Sequence, residues 1–332
     1  MKSILVTGAT GLIGSNVCVR MIEQGTKPRT LARDTGSNDA QQLRQAGVDV
    51  VAGDIADMKS VLAAAEGTAG IIHCAAMLGR PGASVQEGFS TNVLGSINVY
   101  TAAVTLGGLP VVQLLTSTFF DMWNKTLTER SPLDLLFRNN DAYSVTKRLG
   151  FTEGVARVAE GQDIRFMIPG AVFGPSPCVQ KAMIRPSFND RIASAIRGEL
   201  TEQIPLPVPF TFVSDCAVVC IAALEKGVPG QRYIAMGRSS DVRTIAASCN
   251  RACELAGVSN RVHDVPRDKL DDPDVVKRYG ETLCTLGKRS YPEPFFDSSL
   301  TEQRLGYVPT ALEDGLNATI SWMRRHRIIM NS

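Results

Sequence analysis

The sequence predicts an α/β fold, a doubly wound parallel sheet followed by a smaller C-terminal lobe. Three observations predict it. A short apolar run, Ile4-Leu5-Val6, leads straight into glycines at positions 8, 11 and 14, and a helical pattern of Ile13, Val17 and Met21 follows. Strand-like apolar runs then alternate with helical stretches through the first half, as parallel strands joined by right-handed crossovers require. After Pro175 the pattern loosens, with Pro177, Pro186, Pro205, Pro207 and Pro209 close together. The boundary is therefore placed there. Residues 1–175 form the first domain and 176–332 mainly the second lobe, with part of 210–236 expected to return to the first.

The opening unit, Gly8-x-x-Gly11-x-x-Gly14 between strand and helix, is the context a dinucleotide-binding turn needs. Gly8 permits the tight turn, Gly11 lets backbone approach a pyrophosphate, and Gly14 lets helix and strand pack closely. Thr10, Leu12 and Ile13 lie in the same turn, where free N–H groups and the positive helix end meet the phosphates. The next elements are a strand at 28–33, a helix at 41–46, a strand at 48–51, a helix at 58–66 and a strand at 70–76. A site for NAD usually carries an acid about 20 residues after the glycines. That place is Leu31-Ala32-Arg33 here, with no acid and a guanidinium suited to a 2′-phosphate. NADP(H) is thus preferred, while Asp34 directly after Arg33 keeps NAD(H) open. Asp54, with Ile55 after it, sits where an adenine edge would lie. Ala75 and Ala76 leave room for a cofactor, and His73, inside an apolar strand, reads as a satisfied core histidine.

A long helix at 90–106 follows, then a strand at 111–115 ending in Thr116-Ser117-Thr118. Tyr143 and Lys147 then open another helix, four apart and so on one face. A phenol titrating ordinarily at about 10 is expected to be lowered by a neighbouring ammonium. It can then exchange a proton with a carbonyl or alcohol oxygen, while a hydroxyl at the strand tip steadies that oxygen.

Composition limits the remaining possibilities. The 332 residues are 44% hydrophobic and 20% charged, with 35 − 33 = +2 formal charges, so neither nucleic acid nor an anionic membrane is an expected partner. The apolar run at 212–224 is short and contains Asp215, which argues against a membrane span. A first strand at residue 2 or 3 leaves no room for a leader, and a cytoplasmic location is expected. Eight cysteines show no CxxC pair; Cys216/Cys220 and Cys249/Cys253 have helix spacing and read as packing. Three scattered histidines assemble no metal site.

Together, TGATGLIG, the GDI element, IIHCAA, TNVLGSINV, the TST tip, YSVTK, PGAVFGP at 169–175 and RLGYVP near the end resemble an extended short-chain dehydrogenase/reductase of the NAD-dependent epimerase/dehydratase family. The resemblance runs almost end to end and implies a Rossmann-type nucleotide domain, a substrate-binding C-terminal lobe and a homodimer. It implies Tyr143 as acid/base with Lys147 as partner, and Thr118 as the strand-tip hydroxyl with Ser117 as fallback. Asn92 falls in the family's asparagine segment. Cofactor positions are Gly8, Gly11, Gly14, Arg33, Asp54 and Lys147, with Pro169, Ala171 and Val172 flanking the nicotinamide. The arginine and histidine of the sugar-nucleotide branch are replaced by Phe210-Thr211-Phe212 and their neighbours. Met77, Leu78, Phe119, Phe120, Trp123, Phe173 and Met183 instead suggest an apolar pocket. The dihydroflavonol-reductase-like and hydroxysteroid-dehydrogenase-like branches are the ones resembled, and they imply an apolar ketone or alcohol substrate. A sugar-nucleotide epimerase or dehydratase and a non-catalytic dinucleotide sensor are the rival readings. In the second half, helices at 192–196 and 214–224, a strand at 232–236 and a final amphipathic helix from Ala311 are expected. The charged stretch 269–294 is expected to be irregular, as a mobile cover or a solvated connection.

Overall fold

The computed structural model describes residues 3–78, 84–122, 125–136, 140–185 and 187–330. Its centre is a seven-stranded parallel sheet. Strands β1 (Ser3–Thr7), β2 (Pro28–Ala32), β3 (Asp49–Ala52), β4 (Thr68–His73), β5 (Val111–Leu114) and β6 (Ile164–Pro169) come from the first half of the chain. The short β7 (Ala171–Phe173) lies outside this sheet and pairs in parallel with β8 (Phe210–Phe212). The last sheet strand, β9 (Arg232–Ala235), pairs with β6, so the order is β9-β6-β5-β4-β1-β2-β3. The order reverses beside β1, which is where open α/β sheets bind ligands at their strand C-termini.

The sheet is doubly wound because its strands are buried on both faces. Leu5, Ile71, Val111, Ile164 and Ile168 pack into one apolar cluster, and Val6, Ile72, Val112 and Met167 into another. Helices α1 (Leu12–Glu23) and α7 (Val213–Lys226) cover the second cluster, and α3 (Met58–Ala65), α4 (Gly95–Thr105) and α5 (Ala142–Ala159) cover the first. Helix α2 (Asn38–Gln45) precedes β3, and α6 (Phe188–Ile196) belongs to the second half. Thus residues 213–235 return to the nucleotide-side layers although most of the chain after Pro175 lies elsewhere. A third cluster joins α6 to α8 (Ile245–Leu255) and the final helix Leu312–Arg325, whose Leu312, Leu316, Ile320 and Met323 all face inward.

Several elements differ from the sequence expectation. The helix expected at 90–106 begins as a π-helix, Phe89–Leu94, before continuing as α4. The stretch 269–294 is not irregular. It contains helices Pro273–Tyr279 and Glu281–Gly287, and Leu270 and Cys284 join a small core with Ile204 and Val265. Its charges obscured a helical pattern whose apolar positions are few. The expected aromatic pocket wall is also corrected. Phe119, Phe120 and Phe173 are 0%, 0% and 1% exposed. Phe119 stacks with Phe151, Phe120 meets Phe151 edge-on, and Phe173 packs edge-on to Phe210 and Phe212. Burial among aromatics satisfies them as core, whereas Met77 and Met183 are half-buried and Leu78 is exposed. Trp123 lies outside the described residues. Ala102 and Ala103 are core residues of α4, while Val155 and Ala156 on α5 are exposed.

Candidate active site

The glycine turn has the geometry its sequence implied. Gly8 has φ +70°, and a Cβ there would lie 2.7 Å from the backbone of Ala75. A Cβ on Gly14 would come within 2.5 Å of the Gly8 carbonyl, so this glycine is needed for helix α1 to sit against the turn. Gly11 is different: its Cβ direction meets only the Gly8 oxygen, at 3.3 Å, and otherwise opens outward. Helix α1 starts there with no side-chain cap and no acid in its first turn. Its first N–H groups and the positive end of its dipole therefore face free space, flanked by half-buried Thr10, Leu12 and Ile13. A dinucleotide pyrophosphate fits this cradle.

The remaining cofactor positions lie along the same edge of the sheet. Arg33 follows β2, is exposed, and has no ion pair among the described residues. Asp34 is turned away into its own loop, its Oδ1 accepting the Gly36 N–H at 2.9 Å. Asp54 is half-buried and uses Oδ1 to accept the Ala56 N–H at 2.9 Å, while Ile55 is buried against Gly95. Ala75 donates its N–H to Thr7 Oγ1, and Ala76 beside it is half-buried. Pro169 ends β6. Gly170 donates to Thr211 Oγ1 and Ala171 to the Pro209 carbonyl, which fixes the loop carrying Ala171 and Val172. Among the described residues no group of three His, Cys, Asp or Glu side chains is placed to hold a metal.

Helix α5 carries Tyr143 and Lys147. Its N-cap, Asp141, accepts the N–H groups of Tyr143 and Ser144 and sets the helix start. One turn on, Lys147 is buried and donates Nζ–H to the Leu114 carbonyl at 2.6 Å. Burial lowers this ammonium to about 8. Burial also drives the Tyr143 phenol up to about 12, with the Asp141 carboxylate adding to the rise and a hydrogen bond from Thr116 opposing it. The sequence expectation of a phenol lowered by Lys147 is not met: desolvation raises the phenol, and Lys147 is not among the groups that shift it.

The strand-tip hydroxyls bond to one another and to helix α5. Thr116 caps the turn that follows, its Oγ1 accepting the Thr118 N–H at 3.4 Å. Thr118 is half-buried and bonds instead to Ser144 Oγ at 3.0 Å, with Thr116 Oγ1 donating to it at 3.3 Å. Ser117 is buried in the turn. A turn of 3-10 helix, Ser117–Phe119, bends the chain after β5 and swings Thr118 away from the strand line. Asn92, inside the π-helix, is a clamp. Its Oδ1 accepts the Met77 N–H at 2.7 Å, and its Nδ2 donates to the Met77 carbonyl and to Thr146 Oγ1. It ties the β4 tip to helix α5. Below lies a buried polar row: Thr7 Oγ1 with His73 Nδ1 at 2.7 Å, His73 Nε2 with Ser96 Oγ at 3.1 Å, and Gln113 donating to Ser96. Burial, then the charge of Lys147, lowers His73 to about 3, so it is a neutral core histidine as the sequence suggested.

Known proteins resemble this chain closely enough to place it. The family model described as NAD dependent epimerase/dehydratase family matches residues 4–235. A protein named 2-alkyl-3-oxoalkanoate reductase from Stenotrophomonas maltophilia is 33% identical, covering 94% of this chain and 97% of its own. Sterol demethylase protein B of Methylococcus capsulatus is 25% identical, covering 98% and 99%. Among solved structures, a nucleoside-diphosphate-sugar epimerase from Pseudomonas aeruginosa superposes with a TM-score of 0.79 at 18% identity, covering 99% of both chains. At that identity the likeness is one of fold.

Proposed function

The chain belongs to the NAD-dependent epimerase/dehydratase family, and from that premise we propose that it is a cytoplasmic NADP(H)-dependent oxidoreductase interconverting a ketone and a secondary alcohol on an apolar small molecule. The observation that carries the reading is the pairing of Tyr143 and Lys147 one turn apart on α5, with Lys147 Nζ bonded to the end of β5 at Leu114 and Ser144 bonded to the strand-tip Thr118. The dinucleotide, when bound, supplies or accepts the hydride. Tyr143 Oη gives its proton to the carbonyl oxygen in reduction and takes one from the alcohol in oxidation. Lys147, titrating near 8, carries a positive charge at neutral pH and offsets negative charge that develops on the phenol. Exposed Arg33, with Asp34 tied back, supports the 2′-phosphate and hence NADP(H).

With Phe119, Phe120 and Phe173 in the core, the apolar substrate rests on other support. Met77 is held by Asn92 beside Thr146. The two relatives carry the names of a sterol demethylase component and of a reductase of an alkyl oxoalkanoate. All eight cysteines are free, which supports a reducing compartment. No helix among the described residues is long and apolar enough to cross a membrane. A homodimer is part of the same proposal. Leu94, Val104, Leu149 and Val155, at the start of and along helices α4 and α5, are 37%, 48%, 43% and 45% exposed and offer a surface for a second copy.

The test is loss of reduced-nicotinamide absorbance with NADPH or NADH over a panel of aliphatic, cyclic and steroid-like ketones, with the alcohols in reverse. NADPH-dependent turnover is expected, lowered by a factor of about 100 to 10,000 in Tyr143→Phe. Arg33→Ala is expected to raise the KM for NADPH and leave that for NADH nearly unchanged. Full activity in Tyr143→Phe would overturn the assignment, and silence across the panel with a sugar nucleotide turned over would replace it by an epimerase.

A further inference from the structure

Three adjacent strands carry a polar row near their C-terminal ends that an apolar sheet does not need. Thr7 of β1, His73 of β4 and Gln113 of β5 are register partners, and all three side chains are buried. A buried polar group costs stability unless its hydrogen bonds are made. Here the bonds are made, and a count of protons fixes their direction. Ser96 Oγ has one proton, which it donates to the Asn92 carbonyl at 2.8 Å. None is left for His73 Nε2 at 3.1 Å, so that nitrogen carries the hydrogen and Ser96 accepts it. Gln113 Nε2–H takes the second acceptor position of Ser96 at 3.3 Å. Burial keeps the ring neutral, so its Nδ1 is bare, and Thr7 Oγ1 donates to it at 2.7 Å. Thr7 Oγ1 in turn accepts the Ala75 N–H at 3.2 Å. The opposite tautomer would leave Nε2 and the Asn92 carbonyl competing for the single Ser96 proton.

Every bond in this series runs one way, from the Ala75 N–H through Thr7, His73 and Ser96 to the Asn92 carbonyl, and bonds in such a chain polarise one another. Both ends sit against glycines of the site. A Cβ on Gly8 would lie 2.7 Å from the Ala75 backbone, and one on Gly150 of α5 would lie 2.6 Å from the Asn92 carbonyl. The Asn92 side chain holds Met77 and Thr146. We propose that His73, as its Nε2–H tautomer, is a positioning residue that keeps the glycine turn in register with Asn92 and helix α5, so that a bound dinucleotide and Tyr143 meet in one geometry. The proposal rests on the dinucleotide reading of the glycine turn. His73 acts through Ala75 and Asn92 and is not expected to touch cofactor or substrate. An apolar side chain in its place would fill the space and leave the two ends independent.

The experiment measures NADPH dissociation by fluorescence, well below the melting temperature, for Thr7→Val, Ser96→Ala and the double variant. Cutting the row at either end is expected to weaken binding by a factor of about ten, and the double variant should bind no worse than the poorer single, because one break already frees the register. Thr7→Ser, which keeps the hydroxyl, is expected to restore wild-type binding. Additive losses, about a hundredfold in the double variant, would show that the two ends act separately and overturn the proposal. So would wild-type affinity in Ser96→Ala with only a lowered denaturation midpoint, the mark of a bond that stabilises the fold and positions nothing. The tautomer is read from the imidazole 15N resonances of His73, assigned with His73→Gln. A pyrrole-like Nε2 and a pyridine-like Nδ1 are expected, and the reverse overturns the proposal. A wild type that binds neither NADP(H) nor NAD(H) would instead remove the dinucleotide reading. The coupling is then followed without ligand at the Ala75 amide resonance. Ser96→Ala is expected to shift it, and an unmoved signal overturns the register.

Discussion

Tyr143 and Lys147 lie one helical turn apart, and burial moves them in opposite directions, the phenol up to about 12 and the ammonium down to about 8. At neutral pH this gives a protonated phenol beside a positive lysine, the states needed to protonate a carbonyl. His73 shows the same physics without a catalytic role. Its folded value of about 3 lies below the ordinary 6.5, so the unfolded chain binds more protons between those limits. The stability is present above pH 6.5 and is lost as pH falls toward 3. Between pH 7 and pH 5 this one residue should account for about 2 kcal/mol of lost stability. Urea denaturation of wild type and His73→Gln at both pH values checks it. The wild type should lose that much more than the variant, and equal losses would show that His73 is protonated in the fold.

At the level of elements, the site depends on how closely α5 approaches the helix before it. A Cβ on Gly150 would lie 2.6 Å from the Asn92 carbonyl, and one on Gly154 would lie 2.8 Å from the Tyr100 hydroxyl. Both glycines are on the face that Lys147 and Phe151 bury. Gly150→Ala is expected to destabilise the protein by about 1–2 kcal/mol, since backbone cannot yield to a methyl group and the gain in helix propensity is smaller. The same change pushes on Asn92 and through it on Met77, so the KM for substrate should rise as well. Denaturation midpoints and kinetics on the one variant test both. The π-helix Phe89–Leu94 belongs here too. A single wide turn lets Asn92 reach Met77 and Thr146 together, and nothing in the composition of that stretch announced it.

For the whole molecule, the sheet gathers segments far apart in sequence, and the outer faces of α4 and α5 carry the exposed aliphatics Leu94, Val104, Leu149 and Val155. If these faces pair, light scattering should give twice the 35.7 kDa chain mass, and Leu149→Glu should give monomers. A monomeric wild type at micromolar concentration would overturn the proposed dimer. The doubly wound topology, the glycine turn, the helix-borne Tyr143/Lys147 pair and the core role of His73 were legible in the sequence. Each depends on local spacing: glycine at three-residue intervals, reactive groups at i and i+4, apolar runs bounded by turns. The partners of those groups were not legible. Thr118 bonds to Ser144 of α5 from a 3-10 turn at the strand tip. Phe119, Phe120 and Phe173 are core because rings from Phe151, Phe210 and Phe212 reach them. Phenol acidity follows desolvation, which is set by every element that covers the site. Sequence alone determined which groups are present and which way each element turns, because those follow from bonded neighbours. Burial, contact and charge state were decided by the tertiary structure, because they depend on residues brought together only when the sheet is wound.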